Sequence, residues 1–328
     1  MLSFLAGQPS AFINYIVNVL LVEMILVMSL RVSKNAIGII LVLISSVCFA
    51  FVPNSAKLAL DDGASLYFLL ISRFILGSAV LSLYMIITGI SFHLPRRRIP
   101  LLFLTSIAAL FMLAATYHAV EFIDIGLVLL ILYTFPFGVA ILARIKRGEL
   151  LSIPRWFCMV AVLSGLGIMI YDGQGDINFY GVLISILGLI SFIFFIETSS
   201  TLVMKMGGAA LNLYISLIGL VFMLIIFPFG FTISIPISNT GVIAIGANGL
   251  FFVLSWVLFF EGSRLIGITR ASLLACVEPL FAALLALVFL GQQLSLVEWL
   301  GFFVVLISIF AFEKLGLTPN DGNEANQT

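Results

Sequence analysis

Two glutamates lie within apolar stretches that are long enough to cross a membrane as helices, where a charged side chain is costly to bury. Glu278 precedes Pro279 and, at helical spacing, shares a face with four alanines. A face of small residues is typical of a close helix contact or a cavity wall rather than of a lipid-facing surface. Two roles are open for Glu278: it binds a proton or a cationic group of a solute, or it hydrogen-bonds a neighbouring helix beside the proline.

Glu197 and Asn54 lie 143 residues apart and occupy equivalent positions in the internal repeat described below. If the two repeats are related by a pseudo-two-fold axis, these side chains lie at opposite mouths of a central cavity and contact a solute there. The alternative for Glu197 is a side chain that extends along the apolar surface to the membrane interface.

Two basic side chains also lie in or next to apolar stretches. Arg73 could be the countercharge of an anionic solute; the alternatives are that it pairs with Asp61 or Asp62 near the outer surface, or that it orders the helix bundle. His118 ends another stretch, and since histidine titrates near neutral pH it could take part in proton coupling. The alternative for His118 is a histidine whose hydrogen bonds are satisfied in an outer loop.

Neutral polar and aromatic side chains complete the set of candidate solute-binding residues. Asn248 belongs to a small and polar stripe at helical spacing, which indicates the interior of a bundle, and Trp256 follows it on the same stretch. Tyr133 is the aromatic hydroxyl nearest to Pro136. Pro136 and Pro279 break helical hydrogen bonds and are candidate hinges. The alternative for each aromatic is ordinary packing.

The composition defines the elements that must position these residues. Of 328 residues, 62% are apolar and only 9% are charged, against roughly 25% charged in a soluble domain. The formal net charge is zero. This composition excludes a soluble enzyme, a nucleic-acid binder and a disordered regulator. The apolar runs are continuous rather than alternating, which excludes an outer-membrane barrel and predicts an all-α membrane protein.

We predict ten transmembrane helices, with basic residues concentrated on one side of the membrane. Thirteen of the 15 basic residues fall on the side that holds the residues before the first span, so that side is cytoplasmic, as is the polar tail 314–328. The predicted spans are 37–58, 66–89, 99–120, 124–143, 156–171, 180–202, 209–230, 241–261, 267–290 and 295–313.

The N-terminal region 1–36 contains an extra apolar segment, 11–30, which includes Glu23 and has no basic start typical of a signal peptide. Three interpretations are open. The segment is an eleventh, N-terminal helix, it lies along the membrane interface, or translation starts at Met24 or Met28 and the segment is not part of the protein.

Residues 37–171 and 172–313 repeat each other at a fixed offset of 143 residues. Matching pairs include Pro136 with Pro279, Gly148 with Gly291, and Trp156 with Trp299. Each unit holds five spans, and because five is odd the second unit must enter the membrane from the opposite side. The sequence therefore predicts two inverted-topology repeats, an architecture of many secondary transporters.

Residues 256–312 resemble the second half of an EamA-type permease of the drug/metabolite transporter superfamily, and the first half carries a weaker version. The elements that carry the resemblance are Trp256, Thr269–Ser272, Glu278–Pro279, Leu290–Gly291, Leu294–Ser295 and Gly301. The chain departs from the pattern at Phe135, the repeat partner of Glu278, and at Gln292, where the family usually has a glutamate.

The resemblance implies a multi-pass secondary transporter of the bacterial inner membrane that exports small metabolites, amino acids or related compounds first, by alternating access. Its partners would be a small solute, membrane lipids and, through Glu278 or His118, protons. A flippase for a lipid or lipid-linked sugar is the alternative. The sequence shows no motif for nucleotide, metal or covalent chemistry, so it predicts no cofactor, no metal site and no catalytic residue. Monomer and homodimer both remain open.

Overall fold

The computed structural model describes residues 33–92, 94, 96–170, 178–226, 232–289 and 295–315. Within these ranges every regular element is helical. The apolar segment 11–30, the corner at Gly291–Gln292 and the end of the polar tail after Leu315 lie outside the described residues. The predictions made for them therefore stay predictions.

The first half of the chain forms six helices. These are α1 Lys34–Asp61, α2 Leu66–Thr88, α3 Ile99–Ala119, α4 Ile125–Leu132, α5 Phe135–Arg147 and α6 Ile153–Ile170. Ser33 and Ser65 cap α1 and α2, because each hydroxyl accepts a main-chain N–H of the first turn. Gly89 and Gly148 end α2 and α5 in the left-handed conformation (φ 70° and 69°), which costs a glycine no steric strain.

The second half begins with a helix of 48 residues. Its elements are α7 Phe179–Ile226, α8 Asn239–Ile266, α9 Ile268–Ala275, α10 Glu278–Phe289 and α11 Leu296–Leu315. Helix α7 is interrupted at Gly207, whose φ of 78° and ψ of 162° are not helical. Glu261 of α8 accepts the next main-chain N–H, that of Gly208, at 2.5 Å, so the interruption is hydrogen-bonded to its neighbour.

Eight of the described helical segments are long and apolar enough to span a membrane, and Ile153–Met169 is a shorter apolar helix. The protein is thus an all-helical, multi-pass membrane protein. The predicted spans 124–143 and 267–290 are each two helices separated by a two-residue break. The predicted gap between 202 and 209 is shorter than expected, because only Gly207 leaves the helical conformation.

Three long helix pairs form the scaffold: α1 with α8, α3 with α7, and α6 with α11. Two of them contain glycine contacts that bring the backbones together. A Cβ on Gly262 would lie 2.9 Å from the carbonyl oxygen of Gly38, and one on Gly301 would lie 2.6 Å from that of Gly165. Only glycine fits at such crossings, as is common between membrane helices.

Candidate functional site

A cavity of about 170 Å³ lies where α4 gives way to α5 and α9 to α10. We call it the central cavity, and helices from both halves of the chain line it. Its wall consists of Phe49, Met112, Leu129, Leu132, Tyr133, Phe135, Phe192, Ile196, Trp256, Phe259, Ala275 and Glu278.

Two helix breaks place the polar groups of the central cavity. Tyr133 lies in the break between α4 and α5, and Glu278 is the first residue of α10, directly after the break at Cys276–Val277. Both breaks lie just before a proline, Pro136 or Pro279, whose missing N–H and bulky ring disrupt the preceding turn of helix. The breaks are 143 residues apart, so the repeat in the sequence is also a repeat in the structure.

Glu278 and Tyr133 face each other across the cavity wall. The side chain of Tyr133 hydrogen-bonds the carboxyl group of Glu278. Both side chains remain partly accessible although they lie deep in the bundle, because they line the cavity. Among the twelve lining residues Glu278 is the single ionisable group with a carboxylate, and no lysine, arginine or histidine lines the wall. The electrostatic character of the cavity is therefore set by Glu278.

Aromatic rings form most of the remaining wall. Trp256 contacts Phe49 edge-on, with ring centroids 4.9 Å apart, and Phe135 lies 4.6 Å from Phe192. Trp256 also stacks on Phe260, 5.4 Å away, which fixes the orientation of the indole. Such a wall can hold the apolar body of a solute, and the ring faces can attract a cation.

The predicted solute-binding residue Asn248 lies elsewhere, in a buried polar cluster. Its amide group donates to the carbonyl oxygen of Val52 at 2.7 Å and to Ser55 Oγ at 3.1 Å, while its oxygen accepts from Arg73 Nε at 2.5 Å. All of its hydrogen-bonding groups are engaged within the protein, and Asn248 is fully buried. Asn248 thus does not line the central cavity.

Arg73 is buried and orders the bundle, the third role considered for it. Its guanidinium lies 5.1 Å from the ring centroid of Phe252 and hydrogen-bonds Tyr117. The predicted pairing with Asp61 or Asp62 is absent from the described residues: Asp62 instead accepts the main-chain N–H of Ser238 at 2.8 Å and caps the start of α8.

Glu197 follows Ile196 of the cavity wall but points away from the cavity. Its Oε1 lies 2.6 Å from Arg147 Nη1 and 3.8 Å from Lys146 Nζ, and the side chain is only 4% exposed. The alternative of a side chain extending to the interface is therefore wrong, since two cations from α5 hold Glu197 in the interior. Asn54 donates to the carbonyl oxygen of Ala50 at 2.8 Å on its own helix and does not line the cavity.

His118 is exposed at the end of α3, away from the central cavity. Its Nδ1 lies 3.1 Å from Glu121 Oε2, and its ring packs edge-on against Phe122. This environment matches the alternative considered for His118, a histidine satisfied in an outer loop. Among the described residues no group of three His, Cys, Asp or Glu side chains is placed to hold a metal ion.

Several functional residues could not have been identified from the sequence. Phe49, Phe192 and Phe259 line the central cavity, but the chain contains 31 phenylalanines and nothing in the local pattern distinguishes these three. The two contacts Thr269 Oγ1–Glu149 Oε2 (3.2 Å) and Arg270–Asn35 (2.5 Å) join the halves of the chain, and they link residues too far apart in sequence for any motif.

Comparison with known proteins gives consistent matches in both halves. A model of the EamA-like transporter family matches residues 36–171 and again residues 177–312. A 56-residue stretch is 45% identical to an uncharacterized inner membrane transporter, YicL, of Salmonella typhimurium; it covers 17% of this chain and 19% of that protein. A 190-residue stretch is 26% identical to an uncharacterized transporter, YcbK, of Bacillus subtilis, covering 54% and 61%.

The chain thus matches about a fifth of the length of YicL and three fifths of that of YcbK. A crystal structure of another protein shares the fold, with a TM-score of 0.72 at 17% identity. That match covers 87% of this chain and all of the other.

Proposed function

Because the chain belongs to the EamA-like transporter family in both of its halves, we propose that it is a secondary transporter of small amphipathic metabolites in a bacterial inner membrane. The observation that carries this proposal is the central cavity, an aromatic chamber with a single carboxylate placed at two helix breaks. Amino acids or related compounds are the proposed solutes, and export is the proposed direction. The transporter acts without a catalytic residue or cofactor of its own.

We propose that the chain crosses the membrane ten times as two inverted five-helix repeats. Counting α7 as two segments around Gly207 gives ten. The helix pairs support a two-fold relation: α1 pairs with α8, and its equivalent, the first part of α7, pairs with α3, where Thr105 Oγ1 donates to Thr198 Oγ1 at 2.9 Å. The pair α6 and α11 would exchange with itself. Such repeats commonly enclose a midplane site.

Alternating access would occur by movement of one repeat against the other around the central cavity. The contacts between Arg147 and Glu197, and between Glu149 and Thr269, join the repeats at the ends of helices that the charge pattern assigns to the cytoplasm. These contacts would hold the cytoplasmic side closed and would have to separate for the solute to pass. Pro136 and Pro279 remain the proposed bending points.

Glu278 is the proposed coupling residue. A carboxylate that binds either a proton or the solute can exchange one for the other across the membrane. The titratable side chains that face it are Tyr133 and Cys276, so no basic group neutralises it within the cavity. Proton-coupled export through this residue would make flux depend on the pH gradient.

A resistance screen followed by flux measurement tests the proposal. Cells that overexpress the protein are exposed to toxic amino-acid analogues, purine analogues and cationic dyes, and the protecting class is then assayed in proteoliposomes with an imposed pH gradient. We expect protection against one class and its loss in Glu278→Gln. Glu298→Gln is the matched control, since Glu298 only caps the start of α11 by accepting from Ser295 N at 2.6 Å. Unchanged pH-driven flux in Glu278→Gln would remove the coupling role.

A further inference from the structure

Three prolines each follow a residue of the cavity wall at a distance of four positions. The pairs are Phe49 with Pro53, Leu132 with Pro136, and Ala275 with Pro279. In an α-helix the carbonyl oxygen of one residue accepts the N–H of the residue four positions later, and proline has no N–H. Three main-chain carbonyls of the cavity wall therefore lack their normal helical donor.

At the two helix breaks no other donor replaces the missing one. The N–H groups of Tyr133 and Thr134 reach back to the carbonyls of Leu129 and Ile131, at 2.8 and 3.1 Å. In the second half the equivalent N–H groups reach back in the same way. Among the hydrogen bonds that the described residues make across the two breaks, none reaches the carbonyl oxygen of Leu132 or Ala275.

An unpaired carbonyl inside a membrane protein is costly unless water or a ligand supplies a donor. The repeat brings two such carbonyls to one cavity, and the same wall holds the carboxyl group of Glu278 and no basic side chain. All of these groups are acceptors or carry negative charge. The occupant that satisfies them must bring positive charge and several N–H or O–H donors.

We propose that the central cavity recognises a primary ammonium group attached to an apolar body. Its three N–H donors would be accepted by the carbonyls of Leu132 and Ala275 and by the carboxylate of Glu278. The aromatic wall would hold the apolar body and add attraction for the cation. This inference rests on the proposed function, because it assumes that the central cavity is the transport site, and it names the group recognised there.

Three compounds of one shape test which feature is recognised. Binding of 2-phenylethylamine, its N,N,N-trimethyl derivative and 2-phenylethanol to the detergent-purified full chain is measured by titration calorimetry. We expect the primary amine to bind at least about tenfold more tightly than either of the others, since the derivative keeps the charge but has no N–H and the alcohol has no charge. Equal or tighter binding of the trimethyl derivative would overturn the role of the carbonyls, and equal binding of the alcohol would overturn that of the charge.

Restoring the missing donors tests the carbonyls directly. Pro136→Ala and Pro279→Ala each return an N–H to the chain, which can then satisfy the carbonyl four positions earlier. We expect each variant to bind the primary amine about tenfold more weakly, with binding of the alcohol unchanged. Pro154→Ala is the matched control, because Pro154 is the second residue of α6, where an N–H has no helical acceptor. Wild-type affinity in both folded variants would overturn the inference, and if they do not fold the three-compound comparison decides it.

Flux in proteoliposomes separates this inference from the proposed function. Tight, selective binding of the amine with no flux of any solute would refute transport and leave the ammonium site in place. Saturable flux of neutral or anionic solutes, with no preference for primary amines, would refute the ammonium site and leave the transport function.

Discussion

Removal of Arg147 should destabilise the protein strongly, because it leaves the carboxylate of Glu197 buried with too few partners. The Glu197 side chain is 4% exposed, and Arg147 Nη1 is its nearest cation at 2.6 Å. The second oxygen, Oε2, is buried and has no hydrogen-bond partner among the described residues. In Arg147→Met the remaining cation would be Lys146, 3.8 Å away and half exposed.

The expected loss follows from the energetics of buried ion pairs. Removing one partner of such a pair costs about 3–5 kcal/mol, and the retained Lys146 places the expected value at the lower end, about 3 kcal/mol. For a chain of this size the loss corresponds to a fall in Tm of roughly 6 °C. The double variant Arg147→Met/Glu197→Met removes both charges, so it should recover most of the loss, to within about 1 kcal/mol of the wild type.

Thermal unfolding in detergent with a thiol-reactive dye is a suitable assay, because Cys48 and Cys276 are buried in the folded protein and become reactive on unfolding. Arg264→Met is the control, since Arg264 forms a surface pair with Glu261 at 2.7 Å and both side chains are about one third exposed. We expect it to cost less than about 1 kcal/mol. A loss for Arg147→Met no larger than for Arg264→Met, or no recovery in the double variant, would refute the buried ion pair.

Three further substitutions probe other parts of the structure. Gly301→Ala should prevent stable folding, because its Cβ would lie 2.6 Å from a backbone oxygen of α6, whereas Gly246→Ala has nothing within 4 Å and should be tolerated; thermal unfolding of the two compares them. Asn248→Leu should lower stability by about 2 kcal/mol by leaving Arg73 Nε buried without its acceptor, and a loss below about 0.5 kcal/mol would contradict this. Tyr133→Phe should keep stability but reduce the initial rate of solute flux roughly tenfold, because Glu278 loses a hydrogen-bonding partner; an unchanged rate would argue against the contact.

Much of the helical framework could be predicted from the sequence because apolar runs of about 20 residues have few alternatives in a membrane. The repeat offset also predicted where helices would break, at Pro136 and Pro279. The breaks themselves fall two to three residues earlier, at 133–134 and 276–277, because a proline disrupts the turn that precedes it.

The candidate site was only partly predictable. Glu278, Tyr133 and Trp256 are polar or amphipathic residues on apolar helices, and all three lie in the cavity wall. Asn248 has the same character but faces Arg73 instead, since a period of 3.6 residues places a side chain on a face of its helix without specifying which neighbour covers that face. The partners of Glu197, more than forty residues away, depend on helix packing that no local pattern encodes.

The glycine contacts limit how the two halves can move. At both crossings, α1 with α8 and α6 with α11, one helix comes from each half, and a backbone oxygen lies where a Cβ would otherwise be. Sliding either helix along its partner would drive the larger flanking side chains into the opposite backbone, so translation is blocked at two separate points. Rotation about the points of closest approach needs no such overlap. Any rearrangement that opens the cavity must therefore turn the halves around these two crossings, and bulk added at either one should lock the protein in a single conformation.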